Sequence, residues 1–86
     1  MQLTQIERAW LLILFNEGYM YLARDKCGEL YAYKSKPRLA GGTWTGDGRN
    51  YEMDEDLFSI SVLSSDTTPY KIVCNASLDY YDLEEV

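Results

Sequence analysis

The sequence predicts a small α+β domain, one N-terminal helix packed on a small antiparallel sheet of three to five strands. A helix-start signal and an apolar run open the chain, the hydrophobic period changes from helical to alternating at Tyr19, and glycine-bearing turns punctuate the rest. With 86 residues the chain is near the size at which a single core leaves only a thin stability margin, so residues 1–86 are read as one domain and self-association is expected from the outset.

Thr4-Gln5-Ile6-Glu7 is a capping box, in which the Thr4 hydroxyl serves the Glu7 N–H and the Glu7 carboxylate serves the Thr4 N–H. The helix should run through IERAWLLILFNE and stop at Gly18, which can adopt the left-handed conformation of a helix end. Leu11, Leu12 and Leu14 spread apolar surface round the cylinder, which predicts a homo-oligomer formed through helix 5–17 that buries Trp10, Leu11 or Leu14. Residues 19–24 and 29–34 then alternate as two strands. Asp25-Lys26-Cys27-Gly28 joins them as a type I turn followed by a bulge, with Gly28 at positive φ. Met20, Leu22, Leu30 and Ala32 suit the face against the helix, and Tyr19, Tyr21, Tyr31 and Tyr33 the other.

Lys36-Pro37 ends the second strand, and paired glycines bracket Thr43-Trp44-Thr45, a short third strand. Asp54 reads as the cap of a helical turn over 53–60. Ser59 to Ser64 and Tyr70 to Cys74 read as further strands, and the acidic end 77–86 as a short helix or mobile tail.

The net charge of −6 is unevenly distributed. Residues 1–50 carry seven Lys/Arg against five acids, whereas residues 51–86 carry Lys71 alone against nine acids. Such an end repels phosphate backbones, which argues against direct nucleic-acid binding, and suits a basic protein surface. The protein-binding candidates are therefore Asp54, Glu55, Asp56, Asp79, Asp82, Glu84 and Glu85. A second candidate face is built from Tyr19, Tyr21, Arg24, Tyr31, Tyr33 and Trp44, amphipathic rings that could meet a partner or stack a nucleotide, or instead complete a second small core under the acidic tail.

Catalytic and cofactor chemistry is not expected. The chain has no histidine, the commonest general base and metal ligand at neutral pH. Cys27 and Cys74 lack zinc-site spacing, Glu52 to Asp56 lacks the calcium-loop pattern, and Gly46-Asp47-Gly48 lacks the lysine of a phosphate loop. Two cysteines without a signal-peptide pattern point to free thiols in a reducing cytoplasm. The longest apolar run, Ala9 to Phe15, falls far short of the roughly 20 residues that span a bilayer, so no membrane partner is expected.

YLARDKCGELYAYKSKP, followed by Trp44, then Leu57-Phe58, and later Pro69-Tyr70, resembles a group of small uncharacterised proteins encoded by phages and prophages of low-GC Gram-positive bacteria. Their pattern is Ile/Leu-Ala-Arg-Asp-x-x-Gly-x-Leu-Tyr-x-Tyr, Lys-Pro, a tryptophan, Leu-Phe, and a Trp-Glu-Asp-rich segment before a proline. Leu22, Ala23, Arg24, Asp25, Gly28, Leu30, Tyr31, Tyr33, Lys36, Pro37, Trp44, Leu57 and Phe58 match it, and Leu63-Ser64-Ser65-Asp66 stands where the Trp-Glu-Asp segment would. The resemblance spans about residues 19–72 and implies an accessory phage product. Joined to the acidic half, it gives the expectation of a non-enzymatic anti-defence protein acting in the bacterial cytoplasm, of the anti-CRISPR type, that occupies a basic nucleic-acid-binding surface of a host nuclease. The alternative is an oligomer that sequesters a nucleotide immune signal on the tyrosine and arginine face.

Overall fold

The computed structural model describes residues 3–25, 28–41, 43–46, 50–54, 69–75 and 80–85. Helix α1 spans Gln5–Asn16 and is closed at both ends as the sequence requires. The Thr4 side chain accepts from the Glu7 N–H at 3.1 Å, and the Thr4 N–H donates to Glu7 Oε1 at 2.9 Å. At the other end Gly18 has φ 94°, its N–H donates to the Phe15 carbonyl, and the Tyr19 N–H donates to the Leu14 carbonyl at 2.9 Å. These are the paired bonds of a Schellman motif, which satisfy carbonyls the helix leaves open.

The strands are β1 Tyr21–Arg24, β2 Leu30–Tyr33, β3 Arg38–Ala40, β4 Thr43–Thr45, β5 Asn50–Met53, β6 Tyr70–Asn75 and β7 Tyr80–Glu85. Five form an antiparallel sheet in the order β5-β2-β1-β6-β7, and β3 pairs with β4 in a separate two-stranded sheet. The α+β expectation of a helix on a small antiparallel sheet therefore holds. The β1–β2 hairpin is the expected one: Gly28 has φ 96°, its N–H donates to the Asp25 carbonyl at 2.9 Å, and the Asp25 N–H donates to the Glu29 carbonyl at 2.7 Å.

Leu11 and Leu14 of α1 pack on Leu22, Leu30, Ala32, Met53, Tyr70, Ile72 and Leu83, with one or more residues from every strand of the larger sheet. Each buried leucine, isoleucine or methionine among them contributes about 1.5–3 kcal/mol by leaving water. This corrects one expectation. Leu11 and Leu14, offered as contacts between copies, are buried within their own chain, and Trp10 is half-buried against that core. The large apolar helix residues left exposed are instead Ile6, Leu12 and Ile13.

Four elements depart from expectation. Residues 38–40 and 50–53 form β3 and β5 where only loop and the entry to a helical turn were expected. Residues 80–85, expected as a short helix or mobile tail, form β7, paired with β6 over six positions from Tyr70↔Glu85 to Asn75↔Tyr80. Trp44 lies on β4 in the smaller sheet and not on the strand next to the tyrosines. The strand expected at 59–64 and the helical turn after Asp54 lie outside the described residues.

Candidate functional site

Alternation carries Leu22, Leu30 and Ala32 to the helix side of the sheet, as expected. On the opposite side the rings of Tyr31 and Tyr33 lie 6.4 Å apart, but they do not form an open platform. The smaller sheet closes over Tyr33: its hydroxyl donates to the Trp44 carbonyl at 3.2 Å, and Asp25 Oδ1 accepts from the Trp44 N–H at 2.9 Å. Both main-chain groups of Trp44 are thus held from the larger sheet. Tyr33 retains 1 % of its exposure and Ala23, beside it, is buried as well. The cover expected for the tyrosine face was the acidic tail; the contacts that Tyr33 and Asp25 make are instead with Trp44 of β4.

The remaining members of that face scatter. Tyr19 departs from it altogether. It packs against the helix-side core, 6.0 Å from the Tyr51 ring and with Lys34 Nζ 5.2 Å from its own ring centre. Arg24 stands in register with Leu30, two residues from Leu22, and is buried, with Nη1 donating to the Gly28 carbonyl at 2.8 Å. Tyr21 and Tyr31 are half-buried, and the Tyr31 hydroxyl donates to Glu29 Oε2 at 2.7 Å. That bond raises the Tyr31 pKa to about 12, with smaller contributions from loss of water and the charges of Glu29, Glu52 and Asp25. Burial, followed by the nearby Asp25 charge, pushes Tyr33 up to about 12 as well. Both phenols are neutral donors at physiological pH.

The acidic candidates divide between the two edges of the sheet. Asp54 follows β5 and is exposed, as is Glu52 beside it. Asp82, Glu84 and Glu85 belong to β7. Four inter-strand steps of about 4.8 Å separate these edges by roughly 19 Å. Glu55, Asp56 and Asp79 lie outside the described residues. On β7, Glu84 and Glu85 are exposed, whereas Asp82 is half-buried with Oδ1 accepting from the Leu83 N–H at 2.8 Å. Lys71 faces Glu84 across the β6–β7 ladder. Glu52 was outside the candidate set; only its register beside Tyr31 marks it as an edge carboxylate.

Among the described residues no group of His, Cys, Asp and Glu is placed to hold a metal ion, and no helix is long and apolar enough to cross a membrane. Cys74 is an exposed free thiol. No known protein family, curated protein or solved structure was found to match this chain.

Proposed function

We propose that this protein is a non-enzymatic phage or prophage accessory protein that binds and inhibits a host defence protein in the bacterial cytoplasm, by occupying the basic surface with which a CRISPR-type nuclease grips nucleic acid. The observation that supports this reading is the character of β7. Its acids sit on a strand anchored by Leu83 in the core, with the exposed Glu84 and Glu85 at the sheet rim. Carboxylates on a paired backbone lose little entropy on meeting a basic surface, and their long-range field speeds the encounter. The rival reading, capture of a nucleotide signal on the tyrosine face, would require β3 and β4 to lift, because Tyr33 is sealed beneath them and Arg24 is buried with its guanidinium bonded to the Gly28 carbonyl.

The test is inhibition of a panel of host defence nucleases, measured over rising salt. Inhibition should weaken steeply as the Debye length falls below its value of about 8 Å at physiological ionic strength. Neutralising Asp79, Asp82, Glu84 and Glu85 together should slow association more than neutralising Asp54, Glu55 and Asp56. Inhibition left intact by both sets would make the acidic half a solvated face and overturn the reading. Loss of nucleotide retention from an infected-cell extract on Tyr31→Ala or Arg24→Ala would favour the sequestrant.

A further inference from the structure

The outward groups of the two edge strands can be read from the ladder. The Ile72 N–H donates to the Met20 carbonyl at 2.8 Å, so Ile72 turns its main-chain groups towards β1, and its partner Leu83 turns its own away from β6. Tyr81, two residues along, faces the same way. One outward group of each finds a partner within the chain: the Leu83 N–H bonds Asp82 Oδ1, and the Tyr81 carbonyl accepts from Arg8 Nη1 at 3.3 Å. Two of the groups that a further strand would use on β7 are therefore already engaged.

On the far side, the Asp25 to Glu29 bond sets the β1–β2 alternation, which turns Leu30 and Ala32 towards β5 and makes Met53 and Tyr51 their bonded partners. Glu52, between them, presents its N–H and carbonyl outward, where no strand of the described residues pairs with it. The helix side of this edge is apolar. Ile6, Trp10 and Ile13 stand at i, i+4 and i+7 on one stripe of α1, and Trp10 lies 6.5 Å from the Tyr51 ring. Ile6 is 67 %, Ile13 50 % and Tyr51 42 % exposed. Among the described residues an open strand edge is thus continuous with exposed apolar surface, the combination that pairs with another chain.

We propose that a second copy of this chain occupies this surface, β5 against β5 antiparallel about a two-fold axis at Tyr51, with the Ile6, Trp10 and Ile13 stripes of both helices closing over the seam. The register follows from charge. Centring on Glu52 would set two carboxylates face to face, which is unfavourable. Centring on Tyr51 sets residue 52 against residue 50 and ring against ring, while keeping the outward groups of Glu52 in bonding positions. A four-residue strand offers only a short ladder, so the dimer should be weak and dissociate in the micromolar range or above. The proposal is independent of any host partner.

Sedimentation velocity on the full chain, from about 10 μM to several hundred micromolar, should show a rise from monomer towards dimer mass. Ile13→Asp, on exposed helix surface, should loosen the dimer at least about tenfold. Glu52→Pro removes an outward N–H that the ladder of the described residues does not use, and should leave a folded monomer by circular dichroism. Leu12→Asp, two residues from Trp10 and on the other side of α1, should leave the dimer unchanged. Monomer mass throughout the range overturns the proposal. So does a dimer that survives Ile13→Asp or folded Glu52→Pro, or one that Leu12→Asp abolishes; if Glu52→Pro fails to fold, Ile13→Asp decides.

Discussion

The β7 and β5 edges of the same sheet meet the same physical demand in different ways. An edge strand exposes main-chain donors and acceptors that invite another strand. β7 answers with side chains: Asp82 takes the Leu83 N–H, and Arg8 reaches from α1 to the Tyr81 carbonyl. It is also bound to the helix by the Phe15 and Tyr81 rings, 4.9 Å apart. β5 is shorter, has the exposed Tyr51 ring beside Trp10, and lacks an equivalent bond to an outward group among the described residues. The difference teaches that the acidity of β7 has two separable parts. One carboxylate closes an edge, whereas Glu84 and Glu85 are exposed at the rim.

The largest expected effect comes from detaching β7. Leu83 lies in the core, and Leu83→Ala should cost about 2–5 kcal/mol, because it removes buried methyl groups and leaves a cavity. A urea melt reads this directly, and a change within error would show that residues 80–85 contribute no packed strand. Next in size is the edge cap. Asp82→Ala strips the acceptor from the Leu83 N–H and should cost about 1–2 kcal/mol, with a new tendency to associate as β7 opens. Asp82→Asn, which keeps an acceptor, should recover much of both. Equal effects of the two variants would assign the loss to charge and remove the contrast between the edges.

The narrowest effect is confined to high pH and to the half of the sheet that carries β5. Tyr33 keeps its proton in the folded chain up to about 12, against an ordinary value of 10.0. Above pH 10 the unfolded chain releases this proton while the folded chain holds it, so stability present below pH 10 is lost as pH rises towards 12. Tyr33→Phe should flatten this part of the alkaline stability curve, at the cost of the bond to the Trp44 carbonyl, and leave the cap on β7 untouched. An alkaline slope unchanged in Tyr33→Phe would place the titration elsewhere, with Tyr31→Phe as the next variant to compare.

The elements legible from residue order are those whose cause is local. Thr4 with Glu7, Gly18 after the helix, and Gly28 at the hairpin turn each act within a few residues, and the structure uses them in the roles their chemistry predicts, whereas the Asp25 side chain, expected to bond the turn backbone, accepts from the distant Trp44 N–H. Period-two alternation likewise placed Leu22, Leu30 and Ala32 on the core face. Tyr19 broke that pattern because it follows the Schellman turn and precedes β1, so strand alternation does not govern its direction.

What tertiary structure decided was the fate of residues whose own preferences were weak or pointed elsewhere. YYDLEE has too few apolar positions to announce a strand, yet pairing with β6 satisfies its inward main-chain groups and the core accepts Leu83. Tyr33 could have faced solvent on the evidence of its neighbours in sequence. It is buried, with its hydroxyl bonded to Trp44 of a separate pair of strands that stand outside the ladder and are tied to it through Asp25. Short-range bonds and side-chain period act within a few residues and are written in their order, whereas which face is covered and which edge is closed depend on segments that meet only after the chain has folded.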